Sequence, residues 1–311
     1  MRFSLNFNQD ALLMRSFLEC KSNTRFFSKS FYFSSFLLPV HKRFAAYALY
    51  DFCRYADNIM DDNNSDYSDK LIRINALHDT VRNIFGKNIS DNHFQALSYT
   101  IEKYNIPEKY FHDLLIGLEM DKQIVSFSSF NELRKYCYHV ASVVGLMLTH
   151  VFGVKDGIAF EYAESLGIAM QLTNILRDIK EDAMASRIYI PKDELKAFNY
   201  TEEDIRNSII NDNFKLLMKF EINRAYEYYE HGLRGLPYLS NDGSRTTAVI
   251  MYKTYSGILS RIIKSDYDVY SKRHYVSLSK KMALTLGYLI NWKEKNKYSL
   301  LPNIEEAFRK A

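Results

Sequence analysis

Phe44 to Asp62 reads F-A-A-Y-A-L-Y-D-F-C-R-Y-A-D-N-I-M-D-D. At helical period Tyr50, Arg54, Asp57 and Asp61 stand at offsets 0, 4, 7 and 11 and form one stripe. Ala45, Leu49, Phe52, Ala56 and Ile59 supply apolar positions on the remaining faces, the pattern of a buried helix. Two carboxylates one turn apart on such a helix are costly unless something positive neutralises them. Basic side chains can do so, and so can a hard divalent cation.

The pattern recurs from Leu166 to Asp182, L-G-I-A-M-Q-L-T-N-I-L-R-D-I-K-E-D. Gln171, Asn174, Asp178 and Asp182 fall at offsets 0, 3, 7 and 11, opposite Leu172, Ile175, Leu176 and Ile179. Two such helices facing each other set four aspartates around one cavity. Oxygen-only ligands at that density suit Mg²⁺, which binds a few carboxylates together with waters and substrate phosphates. The competing reading is buried ion pairing with Arg54 and Arg177. A metal–phosphate site also uses arginines, because a guanidinium clamps phosphate in a bidentate manner.

Working outward, the 311 residues are 47 % hydrophobic and 25 % charged, ordinary for a globular protein. With 11 Gly and 5 Pro, turn-rich β architectures are disfavoured. The formal charge of +4 and the absence of a long basic run imply no nucleic-acid partner. Cys20, Cys53 and Cys137 are isolated, which fits a reduced, cytoplasmic protein rather than a disulfide framework. Tyr136 to Val154 carries no Asp, Glu, Lys or Arg. Its histidines, tyrosines, Ser142 and Thr149 suit a buried helix lining a cavity better than a membrane span. The 24 Tyr and 21 Phe are unusual, and codon bias explains them as well as function does.

Along the chain, residues 1–27 read as an amphipathic lead-in, and Ser28, Lys29 and Ser30 precede an aromatic run. Small hydroxyls there would cap a helix and leave N–H groups for an anion. Residues 70–125 form two or three helices broken near Gly86–Asn92 and Pro107. A helix begins near Pro191, another spans 213–234, a turn runs from Gly235 to Ser244, and helices at about 245–270 and 278–292 follow. The expectation is a mostly helical chain of one domain, 1–311, with its core at about 26–292.

If the site binds a diphosphate, Mg²⁺ and arginines stabilise the charge on departing pyrophosphate, so carbon–oxygen ionisation becomes feasible. The carbocation then needs an apolar cavity that excludes water. Aromatic faces and tyrosine oxygens can stabilise it; Tyr50, Tyr136, Tyr189 and Tyr255 are the candidates.

At these residues the chain resembles the squalene/phytoene synthases, which join two isoprenoid diphosphates head to head. S-K-S-F at 28–31 is similar to the family's entry motif and implicates Ser28 and Ser30 in diphosphate contact. Tyr50 with C-R-Y-A-D-N-I-M-D is similar to the first aspartate-rich motif, giving Arg54, Asp57 and Asp61; G-L-E-M-D ends a further block at Asp121. Y-C-Y-H-V-A-S-V-V-G resembles the block lining the prenyl pocket, implicating Tyr136, Val140, Val144 and Gly145. Q-L-T-N-I-L-R-D-I-K-E-D is close to the second motif, giving Gln171, Asn174, Arg177, Asp178 and Asp182. S-R-I-Y-I-P follows it, with Arg187 and Tyr189, and Y-S-G-I-L with D-Y-D-V-Y-S-K-R resembles the C-terminal helices, with Tyr255 in the first of these. Many members carry two adjacent aspartates in the first motif where this chain has Asn58, which implies weaker tuning of one metal; Asp62 adds a carboxylate.

The resemblance implies an all-α, isoprenoid synthase-type fold around a central apolar cavity. It implies a prenyltransferase that condenses two geranylgeranyl or farnesyl diphosphates, through a cyclopropylcarbinyl diphosphate, to a linear C40 or C30 hydrocarbon. Asp57, Asp61, Asn174, Asp178 and Asp182 would hold Mg²⁺, with Mn²⁺ as the alternative, and Arg54 and Arg177 would hold diphosphate. The stretch after Pro191 favours the phytoene type mildly. Any need for NADPH and the oligomeric state are left open, and greasy substrate and product are compatible with loose membrane association. Two rivals stand: a terpene cyclase acting on one prenyl diphosphate, and a non-catalytic helical assembly factor with the same fold.

Overall fold

The computed structural model describes residues 7–62, 64–88, 92–123, 126–291 and 298. Among them there is no strand beyond two isolated bridges, Ser126 to Ile188 and Val154 to Leu239. The helices are α1 (Phe7–Phe27), α2 (Lys29–Ser35), α3 (Val40–Asp61), α4 (Tyr67–Phe85), α5 (Gln95–Tyr104), α6 (Glu108–Gln123), α7 (Phe130–Cys137) and α8 (Val143–Phe152). They continue with α9 (Ala159–Arg177), α10 (Ile179–Met184), α11 (Lys192–Ala197), α12 (Glu202–Arg206), α13 (Asp212–Leu233), α14 (Ser244–Lys264) and α15 (Leu278–Ile290).

Local chemistry sets the breaks. Asp66 caps α4 by accepting from the Asp69 N–H, and Asn211 caps α13 by accepting from that of Phe214. Thr201 and Asp204 form a reciprocal capping box. At Gly243 φ is +103°, and an added Cβ would stand 2.0 Å from the Leu37 carbonyl oxygen, so only glycine fits. Ser28 takes the N-cap position of α2, yet makes no capping bond with its side chain. That expectation is corrected: its hydroxyl serves Tyr50 instead.

Two hydrophobic clusters make up most of the core. One gathers Leu49, Phe52, Ala56 and Ile59 of α3 with residues of α4, α5, α6 and α8. The other gathers Ile168, Leu172 and Leu176 of α9 with Phe214, Met218 and Tyr229 of α13 and Leu259 of α14. A cavity of about 280 Å³ lies along their seam, lined from the first by Leu49, Leu148 and Phe152 and from the second by Val140, Met170 and Tyr255. Ala141, Gly145, Ala159, Ala163, Gly167 and Ala248 stand in its wall, so little side-chain volume fills the seam.

Two departures from regular helix shape this wall. Tyr138–Ser142 is a π-turn between α7 and α8, which inserts an extra residue and rotates what precedes it. Asp178, with φ −105° and ψ 16°, interrupts the second motif between α9 and α10. The single stripe expected from Gln171 to Asp182 is therefore broken at Asp178.

Candidate active site

The cavity is apolar along most of its length and polar at one end. There Ser28, Tyr50, Gln171, Asn174 and Tyr255 line it, from the segment before α2 and from α3, α9 and α14. Tyr50 stacks on Phe31 with ring centroids 5.5 Å apart. Burial raises its phenol pKa, against the opposing Arg54 charge and the Ser28 hydroxyl, and Asp57 adds to the rise. Burial also raises the Tyr255 phenol, which senses Arg177 and Asp178. Both phenols are thus neutral at neutral pH, and each lies beside one of the two charged stripes. Asn174 Nδ2 donates to Gln171 Oε1 at 3.3 Å. Val140, Val144 and Gly145 line the apolar part as expected.

Arg54 has its Nε buried with no hydrogen-bond partner, and its guanidinium carbon lies 4.7 Å from the centroid of the Phe27 ring. A buried guanidinium nitrogen without a partner, one helical turn from the cavity-lining Tyr50, is a ready anion ligand. Asp57 is half-buried and Asp61 exposed one turn on. Asp62 does not join them. Ser65 Oγ, Asn64 N–H and Arg73 hold its carboxylate in the turn before α4 and lower its pKa to about 2. Asn58 is exposed.

Asp178 is held by two guanidiniums. Arg177 Nε donates to Oδ1 at 2.7 Å while its Nη2 bonds Oδ2; Arg273 adds Nε to Oδ1 at 2.7 Å and Nη2 to Oδ2 at 2.8 Å. Burial raises the carboxyl pKa, but the guanidiniums outweigh it and hold the group below its ordinary value. The ion-pairing reading is thus realised at Asp178, with Arg273 as a partner the motif did not announce. Asp182 and Arg187 border a separate small recess with Ile179 and Tyr189, and the Arg187 N–H donates to the Asp182 carbonyl at 2.8 Å.

Tyr136, expected in the prenyl pocket, and Tyr189 and Arg187, expected at the substrate, stand outside the cavity wall. Tyr136 and Tyr189 stack with centroids 5.3 Å apart against Phe127 and are absent from the cavity wall. The π-turn explains this for Tyr136: in a regular helix it would share a stripe with Val140 and Val144. Ser30 also stands outside the wall, bonded to Lys281 Nζ at 2.5 Å. The side chain of Asp121 lies outside the described residues. Arg273 and Lys281 are neighbours of the site that the motifs did not name; for Arg273 the one signal was the cationic end of D-Y-D-V-Y-S-K-R.

Among the described residues, no three His, Cys, Asp or Glu side chains stand close enough to hold a metal ion by themselves. The four aspartates do not form a preassembled cluster. What the stripes offer is oxygen, from Asp57, Asp61, Asn174, Asp178 and Asp182, beside a donor-rich cationic set. That fits a Mg²⁺ ion whose remaining ligands are phosphate oxygens and waters.

A helical shell around an apolar cavity with paired acidic motifs at its polar end defines the isoprenoid synthase class. A family model described as squalene/phytoene synthase matches residues 24–281. The 15-cis-phytoene synthase of Synechococcus elongatus is 35 % identical over 284 residues, which cover 88 % of this chain and 92 % of that protein. The chloroplastic phytoene synthase 1 of Solanum lycopersicum is 33 % identical over 284 residues, covering 89 % of this chain and 68 % of the relative. Among solved structures, a dehydrosqualene synthase in complex with ligand superposes with a TM-score of 0.80 at 28 % identity, over 89 % of this chain and 97 % of the other. A squalene synthase from Alicyclobacillus acidocaldarius gives 0.77 at 27 %, over 82 % and 95 %. The chain belongs to the squalene/phytoene synthase family. It is a prenyltransferase of the head-to-head type.

Proposed function

We propose that the chain is one catalytic domain that joins two geranylgeranyl diphosphates to a phytoene-type C40 hydrocarbon, with farnesyl diphosphate as the second-choice substrate. The observation that carries this reading is the shared polar end of one apolar cavity. Tyr50 there senses Arg54 and Asp57, and Tyr255 senses Arg177 and Asp178. The relatives named phytoene synthase support the C20 choice.

In this reading Arg54, Arg177 and Arg273 bind and orient diphosphate, and Ser28 and Ser30 add hydroxyl contacts. Asp57, Asp61, Asn174, Asp178 and Asp182 would hold Mg²⁺, or Mn²⁺ in its place, which when bound supplies charge neutralisation for the leaving pyrophosphate. The Asp178 carboxylate is released for that role when diphosphate oxygens take over its arginines. Tyr50 and Tyr255, both neutral, turn oxygen lone pairs toward cationic carbon. Val140, Val144, Leu148 and Phe152 exclude water from it.

The bonds balance in two stages. One prenyl C–O bond breaks, pyrophosphate leaves, and the double bond of the second substrate captures the cation. Proton loss closes the cyclopropane and gives a cyclopropylcarbinyl diphosphate. The second C–O bond then breaks, the cation rearranges, and a further proton is lost to give the triene without NADPH. The expected setting is the cytoplasm, with the enzyme held loosely at a membrane. No described helix is long and apolar enough to cross one.

The test is mass analysis of the hydrocarbon formed from C15 and C20 diphosphates with Mg²⁺ or Mn²⁺, with and without NADPH. A cyclic product no longer than its substrate would assign a terpene cyclase. Pyrophosphate release unaffected by Asp57→Ala and Asp178→Ala would assign a non-catalytic helper.

A further inference from the structure

We propose that His78 on α4 and His112 on α6 form a two-imidazole site, apart from the catalytic cavity, for a divalent cation of the Zn²⁺, Ni²⁺ or Cu²⁺ class. Their Nδ1 atoms stand 2.5 Å apart. The ring centroids are 4.8 Å apart and the planes differ by 15°. Nitrogens that close rule out a face-to-face stack, so the rings lie almost in one plane and meet nitrogen to nitrogen. Each far nitrogen faces a carboxylate. His112 Nε2 lies 3.2 Å from Glu108 Oε1, and His78 Nε2 lies 3.9 Å from Glu119 Oε1. On α6, Glu108, His112 and Glu119 fall at offsets 0, 4 and 11, which is one stripe. On α4, His78 stands between the buried Ile74 and Val81 at offsets 0, 4 and 7.

Two neutral imidazoles carry two N–H groups among four nitrogens. One of those hydrogens must lie between the Nδ1 atoms, because two lone pairs facing at 2.5 Å repel. The ring that supplies it then turns a bare far nitrogen, lone pair outward, toward a glutamate. A third proton would cure this only by charging a half-buried pair. Burial, His112 and Arg82 hold His78 below its ordinary 6.5, against the opposing pull of Asp79. A metal ion between the Nδ1 atoms removes the conflict. It takes both lone pairs, the hydrogen moves to the far nitrogen of its own ring, and both rings donate to glutamates. That is the carboxylate–histidine–metal arrangement, in which the outer carboxylate fixes the tautomer and the ring.

Zn–N bonds of about 2.0–2.1 Å set two such nitrogens about 3–4 Å apart, so the pair opens by roughly 1 Å. The 3.9 Å gap at Glu119 leaves His78 room to step back into hydrogen-bond range of that carboxylate. No three His, Cys, Asp or Glu among the described residues make a metal cage. The remaining positions therefore go to water, which reaches side chains 14 and 23 % exposed. Imidazole suits Zn²⁺, Ni²⁺ and Cu²⁺, whereas Mg²⁺ takes oxygen. None of the four residues lines the apolar cavity, so the site stands independently of the catalytic reading. An ion there ties α4 to α6, whose Gly117 packs on His139 of the π-turn.

The test is calorimetric titration of the full chain with Zn²⁺ in excess Mg²⁺, with urea midpoints measured alongside. One Zn²⁺ per chain and a raised midpoint are expected. Binding should weaken about tenfold or more from pH about 7.5 to about 5.5, where protons compete for both imidazoles. Glu119→Gln keeps both ligands and should weaken binding by about ten- to a hundredfold. His78→Gln and His112→Gln should each weaken it further, with wild-type circular dichroism. Cu²⁺ at less than one equivalent should give a paramagnetic resonance spectrum with two nitrogen ligands, a readout on the wild-type chain that needs no variant to fold. A spectrum of oxygen ligands alone overturns the proposal, as does a chain that binds no Zn²⁺. Zn²⁺ binding that both histidine variants leave undiminished overturns it too, and its loss in Asp57→Ala would then place the ion at the acidic motifs.

Discussion

Arg273 meets Asp178 through two parallel hydrogen bonds, at 2.7 and 2.8 Å, across 95 residues of chain. Arg177 holds the same two oxygens from the adjacent position. Two guanidiniums on one carboxylate leave a net positive charge, which suits a diphosphate better than a lone cation. Arg273→Gln should lower kcat/KM for prenyl diphosphate by about ten- to a hundredfold, the loss of one charge-assisted interaction of about 1.5–3 kcal/mol. Arg273→Lys should recover only part, since an ammonium keeps the charge and loses the fork. Steady-state pyrophosphate release measures both; an unchanged kcat/KM in Arg273→Gln removes Arg273 from the site.

Cavity length is open to the same kind of question. Gly145 faces the cavity, and the one close neighbour of an added Cβ is the Ala163 carbonyl oxygen at an ordinary 3.4 Å. A leucine there takes up prenyl space without displacing the core. Gly145→Leu should reduce turnover of C20 diphosphate more than that of C15. Phe152→Ala, which enlarges the cavity at another lining residue of α8, should shift preference toward the longer chain while costing about 3–5 kcal/mol of stability. A C20-to-C15 ratio that neither variant moves would place the chains elsewhere.

The apolar wall was legible because Val144 and Gly145 sit together in α8 and Gln171 and Asn174 obey helical spacing within α9, while Val140, at the π-turn, still lines the cavity with them. Tyr136 was misplaced for want of the π-turn, which depends on contacts from another helix. The Asp113 carbonyl on α6 lies 3.0 Å from His139 Nδ1, and Gly117 admits His139 so closely that a Cβ there would sit 2.7 Å away. Local sequence carries neither contact. The break at Asp178 is of the same kind, because Arg273, far downstream, holds the carboxylate that a regular stripe would have projected with Asn174.

Two glycines one helix apart should respond to alanine with opposite signs. At Gly167 a Cβ would stand 2.4 Å from Ser142 Cα and 2.8 Å from its backbone nitrogen, where α9 presses on the π-turn. Backbone cannot yield as a flexible side chain does, so Gly167→Ala should cost about 1–3 kcal/mol despite its better helix propensity. Gly145→Ala meets no such obstacle and should gain about 0.5–1 kcal/mol from propensity alone. Urea midpoints of the two variants against wild type decide it; equal shifts would mean the close approach is not rigid.

Glu221 gives the pH dependence of stability a defined sign. It is 2 % exposed, its Oε2 accepts from Arg224 Nη1 at 2.9 Å, and its Oε1 is buried without a hydrogen-bond partner. The same guanidinium forks onto Glu194 and lies 3.9 Å over the Phe130 ring. One cation cannot neutralise both the buried Glu221 and the half-buried Glu194, so burial and the nearby Glu194 push the Glu221 carboxyl well above its ordinary 4.5. Burial acts on Glu194 in the same direction, but Glu221 and Arg224 outweigh it and hold Glu194 low. Above pH 4.5 the folded chain therefore keeps a proton on Glu221 that the unfolded chain has released, and stability falls as pH climbs toward the raised value. Glu221→Gln removes this loss, so its stability relative to wild type should rise with pH. Glu194→Gln takes away the ionised partner of Arg224 and should cost about 3–5 kcal/mol at neutral pH. Its folded-state pKa is depressed, so that contribution is present above the unfolded value and disappears as pH falls through the folded one. Urea unfolding of both variants from pH about 3 to about 9 reads the two slopes, that of Glu194 below the ordinary 4.5 and that of Glu221 above it, and a Glu221→Gln variant running parallel to wild type above pH 4.5 would mean that Glu221 is ionised in the fold.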